Sequence, residues 1–194
     1  SYLALPPEVI ITPMREHQRY FPVYDRQGKL MNKFITVRNG VSAHLAIVAA
    51  GNEKVLRARL SDAEFFWQED LGKSLEDNVE KLRNIVSHEK LGTIYQKMER
   101  TKKIAAYLGE QLGLSSDELD KLQRAVYLLK ADLVSNMVYE FPELQGIMGE
   151  YYGQKAGDAA EVSVAIREHY LPRFAGDDLA ASKIGLVAGT ADQR

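Results

Sequence analysis

The sequence predicts a mainly α fold, in which a helical bundle follows the end of a mixed α/β domain. Two observations carry this prediction. Residues 1–50 contain strand-like runs on either side of a turn, whereas apolar residues recur at helical spacing from Asn52 onward. We therefore expect residues 1–60 to form the last part of the mixed domain and residues 61–194 to form an all-helical domain.

The first fifty residues predict a β-hairpin. Residues 23–24 and 34–37 have the composition of strands, and residues 25–28 between them can turn, because Gly28 tolerates positive φ. The two prolines that open residues 6–11 are compatible with a short helix, although the Val-Ile-Ile-Thr run is equally typical of a strand. The sequence leaves both alternatives open.

Capping residues predict where the next helices begin. Ser74 precedes an apolar repeat, and Ser115 with Glu118 forms the clearest capping box in the chain. Ser61 with Glu64 would form another box if a new helix began there.

The central stretch of the chain, residues 130–153, predicts the end of one long helix, a turn at residues 141–142 and a second helix. Apolar residues at helical spacing form one stripe through the first helix: Leu119, Leu122, Val126, Leu129, Leu133 and Met137. Asp132 lies beside this stripe, where an unpaired carboxylate would be costly to bury. It therefore has either a local hydrogen-bond partner or a role in a metal site.

The last part of the chain predicts two further helices. One follows Gly157, carries His169 on its apolar face and ends at residues 171–172. The other begins near Asp178 and still continues at Arg194. Because the sequence begins within a mixed region and ends within a helical pattern, we expect it to be a fragment of a longer protein.

Composition excludes several classes of protein. The sequence has no apolar run of the roughly 18–20 residues that would span a bilayer, and it has no secretory signal. It contains no cysteine, which rules out disulfides and thiolate metal sites and is compatible with the cytoplasm. Nucleotide-binding P-loops, dinucleotide loops and the Gly-x-Ser-x-Gly nucleophile motif are also missing.

Charge is distributed unevenly, which favours a basic surface near the start of the chain. Residues 1–60 hold nine Lys or Arg against four Asp or Glu, and residues 61–194 hold sixteen against twenty-three. The candidate RNA-binding residues are side chains that can contact phosphates or bases: Arg15, Gln18, Arg19, Arg57, Arg59, Lys97 and Arg100. Tyr20 and Phe21 add aromatic rings on which bases could stack. The alternative for all of these residues is an ordinary solvated surface.

Seven segments occur in the order in which a known family has them: LPPEVIITPMREHQRYFPVYD, FITVRNG, GNEKVLRARLSDAEFFWQEDL, HEKLGTIYQKMERT, KADL, MVYEFPELQGIMGEYY and EHYLPRFAGD. Together they resemble the β subunit of the bacterial two-subunit glycyl-tRNA synthetase, over a middle part of that longer subunit. The final LVAGTADQR departs from the family pattern. The resemblance implies that the helical domain is similar to HD phosphohydrolases.

The resemblance also implies a degenerate HD metal site formed by Asp132, His169 and Asp192. Ala131 stands where the His of the His-Asp doublet is expected, and no histidine occurs near Arg100, where the first ligand is expected. HD hydrolysis depends on a metal that activates water and holds the phosphate. We therefore expect no bound metal and a domain without catalysis of its own.

The function implied by the resemblance is tRNA binding in support of glycine–tRNA ligation. The resemblance names tRNA(Gly) and the α subunit as partners, places ATP and Mg²⁺ at the α subunit, and implies a cytoplasmic protein without membrane or DNA partners. Two alternatives remain, namely a metal-dependent HD-type phosphohydrolase and a purely structural module that assembles the subunits.

Overall fold

Helices dominate the computed structural model, which describes residues 2–41 and 43–193, and the strands in these ranges form only two-stranded hairpins. The mainly α prediction is confirmed. The chain divides into two units, residues 1–70 (unit 1) and residues 71–194 (unit 2).

Unit 1 begins with a helix and a hairpin. Helix α1 (Pro7–Thr12) resolves the open alternative for this segment, and a π-helical turn (Pro13–His17) continues it. Strands β1 (Phe21–Tyr24) and β2 (Leu30–Ile35) pair antiparallel, as the sequence predicts.

The long helix α2 (Leu45–Leu71) completes unit 1 and continues without a break past Ser61. The conditional helix start at Ser61 is therefore wrong. The apolar side chains that α2 buries keep helical spacing across this position: Leu56, Leu60, Ala63 and Trp67. Because this apolar stripe is uninterrupted, one continuous helix buries it, and no new helix begins at Ser61.

Unit 2 is a bundle of helices with one small hairpin. Its elements are α3 (Leu75–Lys81), β3 (Val86–His88), β4 (Gly92–Thr93), α4 (Ile94–Gln111), α5 (Ser116–Leu128), α6 (Asn136–Glu140), α7 (Ile147–Ala156), α8 (Ala160–Glu168) and α9 (Lys183–Asp192). Helices α5 and α9 pack against each other and each packs against α4 and α8, and α7 packs on α8. The core contains large side chains with almost no exposure, including Leu82, Leu122, Phe141, Met148 and Ile166.

The predicted caps of unit 2 are confirmed. The Ser74 hydroxyl accepts the Asp77 N–H at 3.0 Å. At the start of α5, the Glu118 N–H donates to the Ser115 hydroxyl at 3.3 Å, and the Ser115 N–H donates to the Glu118 carboxylate at 2.8 Å. Each bond satisfies an N–H group that the helix leaves without an internal partner.

The prediction of one long helix through Met137 is wrong. Helix α5 ends at Leu128, a 3₁₀ turn (Ala131–Val134) follows, and α6 begins after Ser135, whose hydroxyl accepts the Val138 N–H. Apolar spacing persists because the segment stays in the core, although its backbone leaves the α-helical path. The predicted turn at residues 141–142 is present, since α6 ends before it.

The last helix begins later than Asp178. The Glu168 carboxylate accepts N–H groups of Ala181 and Ser182 and the Ser182 hydroxyl, and Ser182 in turn caps α9. These bonds hold the segment before Lys183 outside the helix. Helix α9 ends at Asp192, and Arg194 lies outside the described residues.

Gly149 in α7 tests how tightly the core is packed. A Cβ atom there would lie 2.5 Å from Ile166 Cγ2 and 3.2 Å from Asp132 Oδ2. We expect Gly149→Ala to lower the free energy of unfolding of the 194-residue chain by about 1–3 kcal/mol, because the neighbours must shift. Chemical denaturation measures this change.

Gly51 in α2 supplies the matched control, because a Cβ atom there would meet nothing within 4 Å. Gly51→Ala should raise stability by about 0.5–1 kcal/mol, since alanine loses less backbone entropy in a helix. Effects of equal sign in the two variants would contradict the close packing at Gly149.

Candidate functional site

Exposed arginines distinguish the basic segment of unit 1. Arg15 lies in the π-helical turn and Arg19 follows it with a positive φ of 57°, and both side chains are exposed. Within the described residues, neither arginine forms an ion pair or hydrogen bond with Glu16 or Asp25. The Asp25 carboxylate instead accepts backbone N–H groups within the β1–β2 turn. Both guanidinium groups are therefore available to an anion.

The aromatic residues of this segment differ in their availability. Tyr20 is buried, stacks on Phe34 at a centroid distance of 4.8 Å and donates its hydroxyl hydrogen to Asn52 at 3.1 Å. Its predicted role in base stacking is wrong, because the ring is part of the unit 1 core. Phe21 remains 56% exposed and could present its ring.

Arg57 lines a cleft of about 870 Å³ in unit 1. Apolar side chains form much of its lining: Leu3, Ile10, Met14, Met31, Phe34, Leu56 and Leu60. Lys33 supplies a second cation there. Gln18 and Arg59 are half-buried, and Arg59 already has an interaction within the chain.

The two candidates on α4 in unit 2 are engaged within the protein. Arg100 donates to the Leu91 carbonyl at 2.9 Å, which ties α4 to the preceding hairpin. Lys97 pairs with Asp192 at 3.0 Å and is one-third exposed. Both side chains stabilise unit 2 as they stand, so they are weaker candidates for an RNA contact.

Asp132 lies at a buried polar centre of unit 2. Its side chain is fully buried, and Oδ2 accepts the N–H groups of Gly146 at 2.6 Å and Gly149 at 3.0 Å. These groups belong to the first turn of α7, where the helix dipole favours a carboxylate. Burial raises the pKa of Asp132 to about 6, although both backbone bonds and the Lys130 ammonium oppose this rise.

His169 faces Lys130 across the same centre. His169 Nδ1 lies 2.6 Å from the Ile166 carbonyl oxygen, and Nε2 lies 2.7 Å from Lys130 Nζ. A carbonyl only accepts, so Nδ1 carries the proton and Nε2 accepts from the ammonium. Burial, followed by the charge of Lys130, lowers the pKa of His169 to about 3, which keeps the ring neutral.

Asp192 completes this centre from the last residue of α9. Its two carboxylate oxygens pair with Lys130 at 3.1 Å and Lys97 at 3.0 Å. Burial raises the pKa of Asp192, but these ammonium groups outweigh it and hold the pKa below its usual range. The fold thus places His169 and Asp192 in contact with the same ammonium group, that of Lys130.

Lys130 is the residue that the sequence analysis missed. The sequence could have indicated it, because Lys130 is a single lysine immediately before Ala131 and Asp132 in a largely apolar stretch. Its ammonium holds the His169 nitrogen and an Asp192 oxygen that a metal ion would need. Within residues 2–41 and 43–193, no three His, Asp or Glu side chains are arranged to hold a metal ion. These residues do not fit the metal of an HD-type site.

The raised pKa of Asp132 makes the stability of the chain depend on pH. The folded state holds this proton more tightly than the unfolded state does, so the contribution is full below pH 4 and is lost as pH rises through about 6. We expect Asp132→Asn to abolish this loss, which is on the order of 3 kcal/mol. Thermal unfolding from about pH 3 to 7 measures it, because these limits lie roughly one unit beyond the ordinary pKa of 3.8 and the folded-state pKa of about 6.

The difference in stability between Asp132→Asn and the unchanged chain should therefore shift in favour of the variant as pH rises. Groups that titrate equally in both chains cancel in this difference. A difference that is constant over the same pH range would contradict the raised pKa.

Within the described residues, no helix has the length and apolar character that crossing a membrane requires.

Comparison with known proteins identifies the family. The family model described as the glycyl-tRNA synthetase β subunit matches residues 1–194. Glycine–tRNA ligase β subunits of Syntrophomonas wolfei, Desulforamulus reducens and Streptococcus gordonii are 57%, 55% and 54% identical over 193 residues. Each match covers 100% of this chain and 28% of the relative, so the chain spans between a quarter and a third of their length. The chain belongs to the glycyl-tRNA synthetase β-subunit family.

Proposed function

We propose that this chain is a tRNA-binding, non-catalytic part of a glycine–tRNA ligase β subunit. It supports the charging of tRNA(Gly) with glycine in a complex with an α subunit. Membership of the β-subunit family supports this proposal, because the similar proteins are named as glycine–tRNA ligase β subunits.

The observation that carries the proposal is the pair of exposed, unpaired arginines in unit 1. Among the residues that the structure describes, Arg15 and Arg19 have no carboxylate partner that an RNA phosphate would have to displace. Phosphate contacts by such side chains release counterions from RNA and supply much of the affinity in nucleic-acid binding. Arg57 and Lys33 also line the neighbouring cleft, where the carboxylates of Glu53 and Glu64 offset their charge.

The chemistry of aminoacylation belongs, in this proposal, to the α subunit. ATP and Mg²⁺ bind there and glycyl-adenylate forms there. The buried centre of unit 2 supports this division, because Lys130, His169 and Asp192 are already bound to one another. They are a poor starting point for a phosphohydrolase, whose metal must bind both water and phosphate.

A structural role in subunit assembly is the second candidate. Its support is a group of strongly exposed apolar side chains in unit 1: Val37, Val41 and Ile47 are 79%, 74% and 71% exposed. Exposed apolar groups of this kind are typical of surfaces that another domain or subunit covers. Assembly and tRNA binding are compatible, and the next experiment separates them.

Replacing Arg15 and Arg19 together by Ala should weaken tRNA(Gly) binding by the full-length α/β enzyme. The loss of two phosphate contacts should also flatten the dependence of log Kd on log salt, by roughly 0.7 to 0.9 per contact. Glycyl-adenylate formation should be unchanged, because it takes place on the α subunit. Filter binding across a salt series and pyrophosphate exchange measure these quantities.

Arg26→Ala with Lys29→Ala is the matched control, since both residues are exposed and lie in the β1–β2 turn. This variant removes the same charge from the same unit and should leave the salt slope unchanged. An equal loss in both variants would indicate general attraction to the basic unit. Unchanged binding in both, with α/β assembly impaired, would favour the structural role.

The phosphohydrolase alternative has its own test. The full-length β subunit, purified without chelator, should contain no stoichiometric divalent metal and should not hydrolyse nucleoside monophosphates or cyclic nucleotides. Elemental analysis and phosphate release measure both. Stoichiometric metal bound at Asp132, His169 and Asp192 would contradict the non-catalytic assignment.

A further inference from the structure

We infer that the Lys130 ammonium is a built-in cation that replaces the metal ion of an HD-type centre and holds the helices of unit 2 together. The inference does not depend on tRNA binding. It concerns a side chain that contacts two of the three remaining ligand positions, His169 and Asp192.

The contacts of Lys130 resemble those of a bound cation. Nζ lies 2.7 Å from His169 Nε2, 3.1 Å from Asp192 Oδ2 and 4.0 Å from the centroid of the Tyr170 ring. The side chain is only 13% exposed. An ammonium so nearly removed from water requires acceptors on several sides, and these three groups supply them.

The orientation of His169 is the one that cation binding requires. Its Nδ1–H donates to the Ile166 carbonyl, which directs the lone pair of Nε2 at Lys130. A histidine that ligates a metal through Nε2 often uses the same backbone bond to fix its ring. The lone pair cannot serve an ammonium and a metal at once, so the occupied nitrogen excludes the ion.

Charge also favours the lysine over a divalent ion. Asp192 pairs with Lys130 through Oδ2 and with Lys97 through Oδ1, so two ammonium groups already contact one carboxylate. A divalent ion placed between them would be repelled by both. Ala131 contributes no donor in return, because its side chain is a methyl group.

The contacts join separate parts of unit 2 through one charge. Lys130 lies between α5 and the 3₁₀ turn, His169 follows α8, and Asp192 is the last residue of α9. Because this cation is part of the chain, the connection does not require a bound metal. Chelators should therefore leave the packing of these helices unchanged, whereas replacing Lys130 should weaken it.

Hydrogen exchange in the full-length α/β enzyme tests the inference locally. We expect Lys130→Met to speed amide exchange in peptides from Ala160–Glu168 and Lys183–Asp192 by on the order of 100-fold, because it leaves a buried carboxylate with less compensation. Lys103→Met, an exposed lysine on α4, should leave both peptides unchanged. EDTA, Zn²⁺ and Mn²⁺ should not alter their exchange in the unchanged enzyme.

A double-mutant cycle shows whether Lys130 acts through Asp192. Asp192→Asn should speed amide exchange in the unchanged protein. In the Lys130→Met background, the factor by which it speeds exchange should be at least tenfold smaller, since the main partner of Asp192 is already gone. Additive effects would overturn the inference. So would exchange in Lys130→Met that matches Lys103→Met, or protection in the unchanged enzyme that falls with EDTA or rises with either metal.

Lys130→Gln keeps the inference testable if Lys130→Met yields no assembled enzyme. Glutamine retains a donor for His169 Nε2 but removes the charge. Faster exchange in both peptides supports the built-in cation, and unchanged exchange overturns it, because the charge would then be dispensable.

Discussion

The structure of the helical unit depends on the buried carboxylate of Asp132. Its Oδ2 accepts two N–H groups from the first turn of α7, which fixes the 3₁₀ segment after α5 against the start of α7. The same bonds require close approach, and Gly149 permits it because a Cβ atom would lie 3.2 Å from Oδ2. The break in the predicted long helix, the glycine in α7 and the buried charge therefore have a single cause. A continuous helix through Ala131–Val134 would remove Asp132 from these donors.

A second charge of opposite sign stabilises the same region by different means. Backbone N–H groups partly compensate the Asp132 carboxylate, whereas the Lys130 ammonium contacts side chains from distant parts of the chain. A buried ion pair is a weak source of net stability, because desolvation offsets most of its attraction. Removing one partner of such a pair nevertheless lowers stability strongly, because it leaves the other charge buried and unpaired. The centre thus contributes a defined geometry to the bundle more than it contributes free energy.

Local features of the fold could be predicted from sequence, and long-range ones could not. Ser74 and Ser115 were identified as caps because each bonds an N–H three residues away, and such spacing is visible in sequence. Apolar periodicity failed at Leu129 because it reports burial and not the path of the backbone. Lys130 was missed because its partner His169 is 39 residues away. Asp132 was suspected correctly, since a carboxylate in an apolar stripe requires compensation, but its donors on α7 could not be named.

The same distinction decides which basic residues fit an RNA surface. All seven candidates have suitable chemistry, yet a side chain that already stabilises the fold must give up that contact, or share it, in order to bind phosphate. Arg100 and Lys97 have such contacts with Leu91 and Asp192. Arg15 and Arg19 are exposed and, within the described part of the chain, have no carboxylate partner. Binding a phosphate would therefore require them to lose only water. The proposed tRNA contact therefore lies mainly in unit 1, whereas Lys97 and Arg100 of unit 2 stabilise the packing around α4.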